Sequence, residues 1–157
     1  SVDIHQGIDS TLMILAHRLK PQPHRRTAIE VSKDYGELPS VYCYAGQLNQ
    51  VFMNVISNAI DAIDHLEKPQ LELATYLEDE QVTITISDNG TGMSEEVRSQ
   101  VFNPFFTTKP IGQGTGMGLS ISYQIVTERH GGLLEVSSAP DEGTTFIIQI
   151  PLTQPGK

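Results

Sequence analysis

The stretch Gln47-Leu48-Asn49-Gln50-Val51-Phe52-Met53-Asn54-Val55-Ile56-Ser57-Asn58-Ala59-Ile60-Asp61-Ala62-Ile63 decides how the rest of the chain is read. Leu48, Val51, Phe52, Val55, Ile56, Ala59 and Ile63, continued by Leu66, recur at helical spacing and build one apolar face. Gln47, Gln50, Asn54, Asn58, Asp61 and His65 recur beside it as a polar stripe. Asparagine is a poor helix former, because its amide competes for nearby backbone groups. An ordinary solvated face would carry Glu, Lys and Arg instead. Asn54 and Asn58 break a local rule inside a consistent helix, which is where a functional site is expected.

Working outward, residues 3–20 read as a first helix on Ile8, Leu12, Leu15 and Leu19, stopped by Pro21 and Pro23. Residues 28–34 read as a strand, and 41–44 as a very short one. After the central helix, which Pro69 ends, residues 71–77 and 81–87 form a hairpin. Val82, Ile84 and Ile86 alternate there with Thr83, Thr85 and Ser87. A short helix is expected near 95–101. A third main helix is expected over 119–129, with Leu119, Tyr123 and Val126 in line and Gly131-Gly132 at its end. Residues 133–137 and 144–150 make a closing hairpin, with Phe146, Ile148 and Ile150 on one face. Helices and strands mix without strict β-α-β order. The expected fold is therefore α+β: a two-layer sandwich with one mixed, mostly antiparallel sheet of about five strands and three main helices on one face.

The chain has 157 residues, enough for one domain with a core: 1–153, with 154–157 as a tail. Lys and Arg number 10 against 19 Asp and Glu. That balance argues against nucleic acid as a partner, since phosphate contacts need clustered cations. No apolar run is long enough to span a membrane, though the full-length protein could be membrane-anchored. Cys43 is the single cysteine, so an internal disulfide is excluded. A packed thiol in a reducing, cytoplasmic setting is expected. The chain opens almost directly on its first helix, so an upstream neighbouring domain is expected.

Asp88-Asn89-Gly90-Thr91-Gly92-Met93 directly follows an alternating strand. An acid there can accept a hydrogen bond from a ligand amine; equally, Asn-Gly is turn chemistry. Gly112, Gly114, Gly116 and Gly118 alternate and then lead into a helix at Leu119. Consecutive backbone N–H groups and a helix N-terminus make a phosphate cradle. The pattern is neither the dinucleotide fingerprint nor a Walker A loop. Between these stretches lie Phe102, Phe105 and Phe106, which either pack in the core or dock on another domain, and Lys109, which can reach a terminal phosphate as a point charge.

Together these stretches resemble the ATP-binding domain shared by gyrase, heat-shock chaperone clamps, histidine kinases and MutL repair proteins, a Bergerat-type fold. They look most like the catalytic domain of sensor histidine kinases. Asn54 to Ala59 resembles the N box and Asp88-x-Gly90-x-Gly92 the first glycine box. Phe102 to Lys109 resembles the F box, Gly114 to Leu119 the second glycine box, and Gly143-Thr144-Thr145-Phe146 the final Gly-Thr motif. The resemblance implies ATP and Mg²⁺ as ligands. Asn58 would hold the metal, with Asn54 and Asp61 near it and Ala62 beside the nucleotide. Asp88 would bond the adenine amino group, partly through water near Thr144, with Gly90, Gly92 and Met93 against the base. The lid and second glycine box (Thr107, Thr108, Gly112, Gly114, Thr115, Gly116, Met117, Gly118 and Leu119) would hold the phosphates. Asn54 and Lys109 would act beside the transferred group.

Two departures choose among subfamilies. ATP-hydrolysing relatives are expected to carry a glutamate base one turn before the metal asparagine; here that residue is Asn54, which cannot serve as a base. Many histidine kinases are expected to carry lysine where Asp61 stands. The implied function is donation of the ATP γ-phosphate to a histidine on an upstream dimerisation domain, with a response regulator downstream and this fragment monomeric. An ATPase clamp and a non-catalytic nucleotide-binding module are the alternatives. None of the five histidines fits the acceptor motif, so all five are read as structural or solvated.

Overall fold

The computed structural model describes residues 1–103 and 118–153. Its centre is α3 (Ala45–Ile63), which buries the expected apolar face with Ile60 added. The helix packs on β2 (Gln70–Glu78) and β3 (Gln81–Asp88), and it also packs against α1 (Ile4–Ile14) and α5 (Gly118–Gln124). It ends at Ile63, short of the expected 66. Just beyond its end, Thr27 Oγ1 donates to the Glu67 carbonyl at 2.7 Å.

The sheet runs β1-β2-β3-β5-β4, with β1 (Glu30–Tyr35), β4 (Leu133–Ser138) and β5 (Thr144–Pro151) completing it. β1 pairs parallel with β2; the other pairings are antiparallel. The α+β sandwich and the mixed, mostly antiparallel five-stranded sheet are as expected. Val82, Ile84 and Ile86 of β3 and Phe146, Ile148 and Ile150 of β5 are all fully buried. The two strands stand in register, Ile86 opposite Phe146 and Asp88 opposite Thr144. Between β2 and β3, Asp79 and Glu80 take φ of 52° and 61°, the mirror-image turn that matches strand twist.

Four local expectations are corrected. The first helix breaks at Leu15 (φ −89°, ψ 4°), and α2 (Ala16–Leu19) follows as a separate turn. No glycine or proline marks the break. Tertiary bonds impose it: the Arg18 carbonyl accepts Arg25 Nη2 at 2.7 Å, and the Leu19 carbonyl accepts the Ile29 N–H at 2.8 Å. Residues 41–44 form no sheet strand. Val41 makes only an isolated bridge to Val2, and Tyr44 already stands at the N-terminus of α3.

The first strand starts later than expected, at Glu30, because the Ile29 N–H is already taken by Leu19. The helix expected over 119–129 is α-helical only to Gln124 and then widens into a π turn, Ile125–Arg129. Its inward side carries Ser120, Ser122, Ile125 and Val126, whereas Tyr123 is exposed. The short helix near 95 is present as α4 (Glu95–Arg98), capped by Ser94 Oγ on the Val97 N–H at 3.2 Å.

Candidate functional site

Three elements meet at the α3 stripe. Asn54 is half-buried and donates its amide nitrogen to the Gly118 carbonyl (3.1 Å) and to Ser122 Oγ (3.2 Å). Ser122 Oγ in turn donates to Gly118 O at 2.9 Å. Asn54 therefore ties the middle of α3 to the first turn of α5, where the alternating glycines end. Asn58 is half-buried one turn further along the same stripe. Leu119 is half-buried beside Gly118 and packs on the core.

Asp61, next on the stripe, is engaged by the Arg18 guanidinium at 2.6 Å. Asp64 is held by Arg25 (3.2 Å) and His24 (2.8 Å). Burial pushes the Asp64 carboxyl up, but the bonds from His24 and Arg25 outweigh it, and the net shift is below the usual carboxylate range. Arg25 is almost wholly buried beneath this pair. The edge of α3 next to the stripe is thus occupied by the segment after α2.

Asp88 ends β3 and is 9% exposed. Its carboxylate accepts the Gly90 N–H at 2.8 Å and the Thr144 N–H from the paired strand. Burial raises its pKa above the ordinary value; the two N–H donors oppose this without cancelling it. The loop that follows is fastened on both sides. Asn89 donates to the Lys68 carbonyl (2.9 Å) and accepts the Gln70 N–H (2.8 Å). The Asp141 N–H donates to Thr91 O at 2.6 Å. Met93 donates its N–H to Ser138 Oγ at 2.8 Å.

The glycines of this loop are required by protein packing. A Cβ on Gly90 would stand 2.8 Å from the Ala62 carbonyl oxygen and 2.9 Å from Asp88 Oδ1. Gly92 has φ +72°, and a Cβ there would lie 2.0 Å from Ala139 O. Ala62 of α3 thereby abuts the Asp88 loop, and the stripe and the buried acid share one end of the fold.

The structure brings together Asn54, Asn58, Ala62, Gly118 and Leu119 along α3 and α5, and Asp88, Gly90, Gly92, Met93 and Thr144 at the end of β3 and β5. Thr107, Thr108, Lys109, Gly112, Gly114, Thr115, Gly116 and Met117 lie outside the described residues, as do Phe105 and Phe106. Phe102 is described and packs in the core, 6.3 Å from the buried Phe146 ring and 5.1 Å from Tyr123.

Sequence reading missed Ser138, Asn89, Ser122 and Arg18. Ser122 left a trace, as a small polar residue on a helix that directly follows a glycine run. Arg18 left none, because its partners are distant in sequence.

His130 is fully buried. Its Nδ1 bonds the Ile125 carbonyl (2.9 Å) and its Nε2 accepts the Tyr44 N–H (3.1 Å), so both nitrogens are used in the neutral form. His5 stacks on Tyr35 and bonds Thr75 Oγ1 at 2.7 Å.

Among the described residues no cluster of His, Cys, Asp and Glu can hold a metal by itself. A hard cation at Asn58 would therefore need oxygens from a ligand, which suits Mg²⁺ carried on phosphates.

Residues 44–154 match the family model described as histidine kinase-, DNA gyrase B- and HSP90-like ATPase. The chain is 37% identical over 118 residues to sporulation kinase E of Bacillus subtilis, covering 75% of this chain and 15% of that protein. It is 36% identical over 126 residues to the signal transduction histidine-protein kinase AtoS of Escherichia coli, covering 80% of this chain and 20% of that one. The chain thus spans a fifth or less of the length of these relatives. Among solved structures it superposes on the catalytic domain of histidine kinase ThkA with a TM-score of 0.81 at 25% identity, covering 97% of this chain and 94% of that one. The mycobacterial sensor histidine kinase MprB gives 0.80 at 28% identity, covering 98% and 97%.

Proposed function

The chain belongs to the histidine kinase-, DNA gyrase B- and HSP90-like ATPase family, and from that premise we propose that it binds Mg-ATP and presents the γ-phosphoryl group to a histidine on a helical domain elsewhere in its parent protein. The observation that carries the kinase reading is Asn54. Its amide nitrogen is committed to Gly118 O and Ser122 Oγ, and an amide cannot take a proton from water as a general base. Phosphoryl transfer to an external nucleophile needs positioning and charge neutralisation instead. Asn54 positions the start of α5. Asp88 and Thr144 receive the base, and Gly90 keeps the loop against Ala62. Mg²⁺, held by Asn58, would neutralise phosphate charge when bound.

The histidines described above support an external acceptor. His130 is buried with both ring nitrogens bonded, His24 is held by Asp64, and His5 is stacked on Tyr35. A response regulator is the expected consumer of the phosphoryl group; the structure of ThkA with a response regulator, whose kinase shares this fold, motivates that step. No described helix is long and apolar enough to cross a membrane, and a cytoplasmic location and a monomeric fragment are part of the proposal.

The test is transfer. With ATP labelled at the γ position and Mg²⁺, label should pass to a supplied histidine-containing helical domain, while free phosphate appears only slowly. Rapid release of phosphate without transfer would favour an ATPase clamp. Binding with neither outcome would favour a non-catalytic module.

A further inference from the structure

A cleft of about 440 Å³ opens between residues 24–27, which lead from α2 toward β1, and residues 65–68, which follow α3. None of the residues assigned to the nucleotide lines it. Its volume lies in the range of about 300–1,000 Å³ usual for small-molecule sites. The cleft is built, not left between loose loops. Arg25 forms its buried wall and is 4% exposed. That guanidinium is fixed by Asp64 Oδ1 at 3.2 Å, the Arg18 carbonyl at 2.7 Å and the Thr27 carbonyl. Thr27 Oγ1 bonds the Glu67 carbonyl at 2.7 Å and so fastens one wall to the other. The second wall is anchored in turn: Lys68 O accepts Asn89 Nδ2 at 2.9 Å, and Pro69 O accepts the Glu30 N–H at 3.0 Å.

These walls carry donors that the protein itself does not use. Among the described residues, Arg18, Arg25, Lys33 and Arg98 each face a carboxylate, whereas Arg26, His65 and Lys68 do not. The chain has 19 acids against 10 Lys and Arg, so acid partners are not scarce, yet two cations without one stand at a single cleft. They are not needed as caps for α3. The Leu66 N–H takes the Ile63 carbonyl at 3.0 Å, and Thr27 and Asn89 take those of Glu67 and Lys68. The backbone N–H groups of Arg26, Thr27, Glu67 and Lys68 also lack a protein acceptor among the described residues. Glu67 is the one carboxylate on the lining.

We propose that this cleft is a second anion site, which takes a small phosphate-bearing molecule through Arg26 and Lys68. Arg26 offers a planar fork that matches two phosphate oxygens, and Lys68 a mobile point charge. His65 adds a ring donor, and the half-buried Leu66 an apolar contact for the rest of the ligand. A phosphate brings three acceptor oxygens where a carboxylate brings two, which suits walls this rich in donors. The site does not depend on the ATP reading, since it shares no residue with the nucleotide assignment.

The test titrates this chain with pyrophosphate, Mg²⁺ being chelated, and follows the histidine ring signals by NMR at fixed pH. The signals of His24 and His65 should shift and saturate. His130, bonded to Tyr44 at the other end of α3, should stay in place and also reports that each variant is folded. Arg26→Ser combined with Lys68→Ser should weaken binding about tenfold or more. Arg98→Ser combined with Arg129→Ser removes the same charge elsewhere and should leave binding unchanged. Shifts that never saturate, or that weaken equally in both pairs, would reduce the effect to general attraction and overturn the site. Undiminished binding in the Arg26 and Lys68 pair overturns it as well. Acetate at matched ionic strength should move His65 far less than pyrophosphate does; an equal response overturns the phosphate assignment.

Discussion

Arg18 Nη2 donates to Asp61 Oδ1 across 2.6 Å, and Arg18 Nη1 reaches Ser57 Oγ at 3.3 Å. The acid that stands where a lysine was expected is thus held by a cation from another helix. Both side chains are about one-third exposed, 33% and 30%, so solvent screens the pair. It is worth about 0.5–1 kcal/mol, and its main effect is to fix α2 against α3. Asp61→Lys should set two cations face to face. We expect a stability loss of about 1 kcal/mol in urea unfolding and no gain in ATP affinity. A more stable or tighter-binding variant would show that Arg18 is not the residue that governs position 61.

Asn58→Ala removes the stripe residue assigned to the metal. ATP binding should weaken about tenfold or more with Mg²⁺ and change little when the metal is chelated. Equal loss in both conditions counts against the metal role. Calorimetric titration with and without Mg²⁺ makes the comparison.

Asp88→Asn should separate stability from recognition. The folded-state pKa of Asp88 is raised, so the folded chain binds the proton more tightly than the unfolded one. Ionisation at neutral pH therefore costs stability, and the cost disappears as pH falls below the ordinary value of 3.8. The amide keeps an oxygen for the Gly90 and Thr144 N–H groups without the charge. The variant should melt higher than wild type at pH 7, and lose this advantage in acid. ATP affinity should drop about 10- to 100-fold, since a charge-assisted bond to the base is lost.

His130 works with the opposite sign. Burial lowers its pKa from 6.5, and the bond to the Ile125 carbonyl opposes this only in part. Its contribution is fully present above 6.5 and is lost as pH falls through the lower folded value. Protonation would set an Nε2–H against the Tyr44 N–H at the start of α3. Unfolding measured down from pH 7 should lose stability faster in wild type than in His130→Gln, with the two curves converging in acid. Parallel curves would rule out His130 as the group responsible.

Glu80 sits at φ 61° without being glycine. The left-handed region costs an ordinary residue about 1 kcal/mol. Glu80→Gly should therefore stabilise the β2–β3 turn by about 0.5–1 kcal/mol, read as a raised denaturation midpoint with an unchanged slope.

The parts of the fold written in periodicity could be read from the chain. The α3 face, the alternation of β3 and β5, and both hairpins each bury side chains at a fixed spacing, so their pattern is local. The break at Leu15 was not legible, because it depends on Arg25 and Ile29 bonding backward to Arg18 and Leu19. The strand expected at 41–44 has the right residue types but pairs only at Val41, with Val2, before the chain turns into α3. Within the site, the stripe and the glycines after Asp88 were visible as violations of local preference. Ser138 and Asn89 were not. A serine or an asparagine in a loop is unremarkable until the fold shows which backbone groups it closes.

The strand order β1-β2-β3-β5-β4 carries a consequence for synthesis. β5 follows every other described strand in the chain, yet it is inserted between β3 and β4. As the polypeptide leaves the ribosome, the inner edge of β3 stays open until β5 arrives, with Val82, Ile84 and Ile86 awaiting Ile150, Ile148 and Phe146. An unpaired apolar edge is an aggregation hazard during that interval. Asp88 gains Thr144 only with the same docking event. If these two residues receive the base as proposed, nucleotide capture would report that β5 has taken its place.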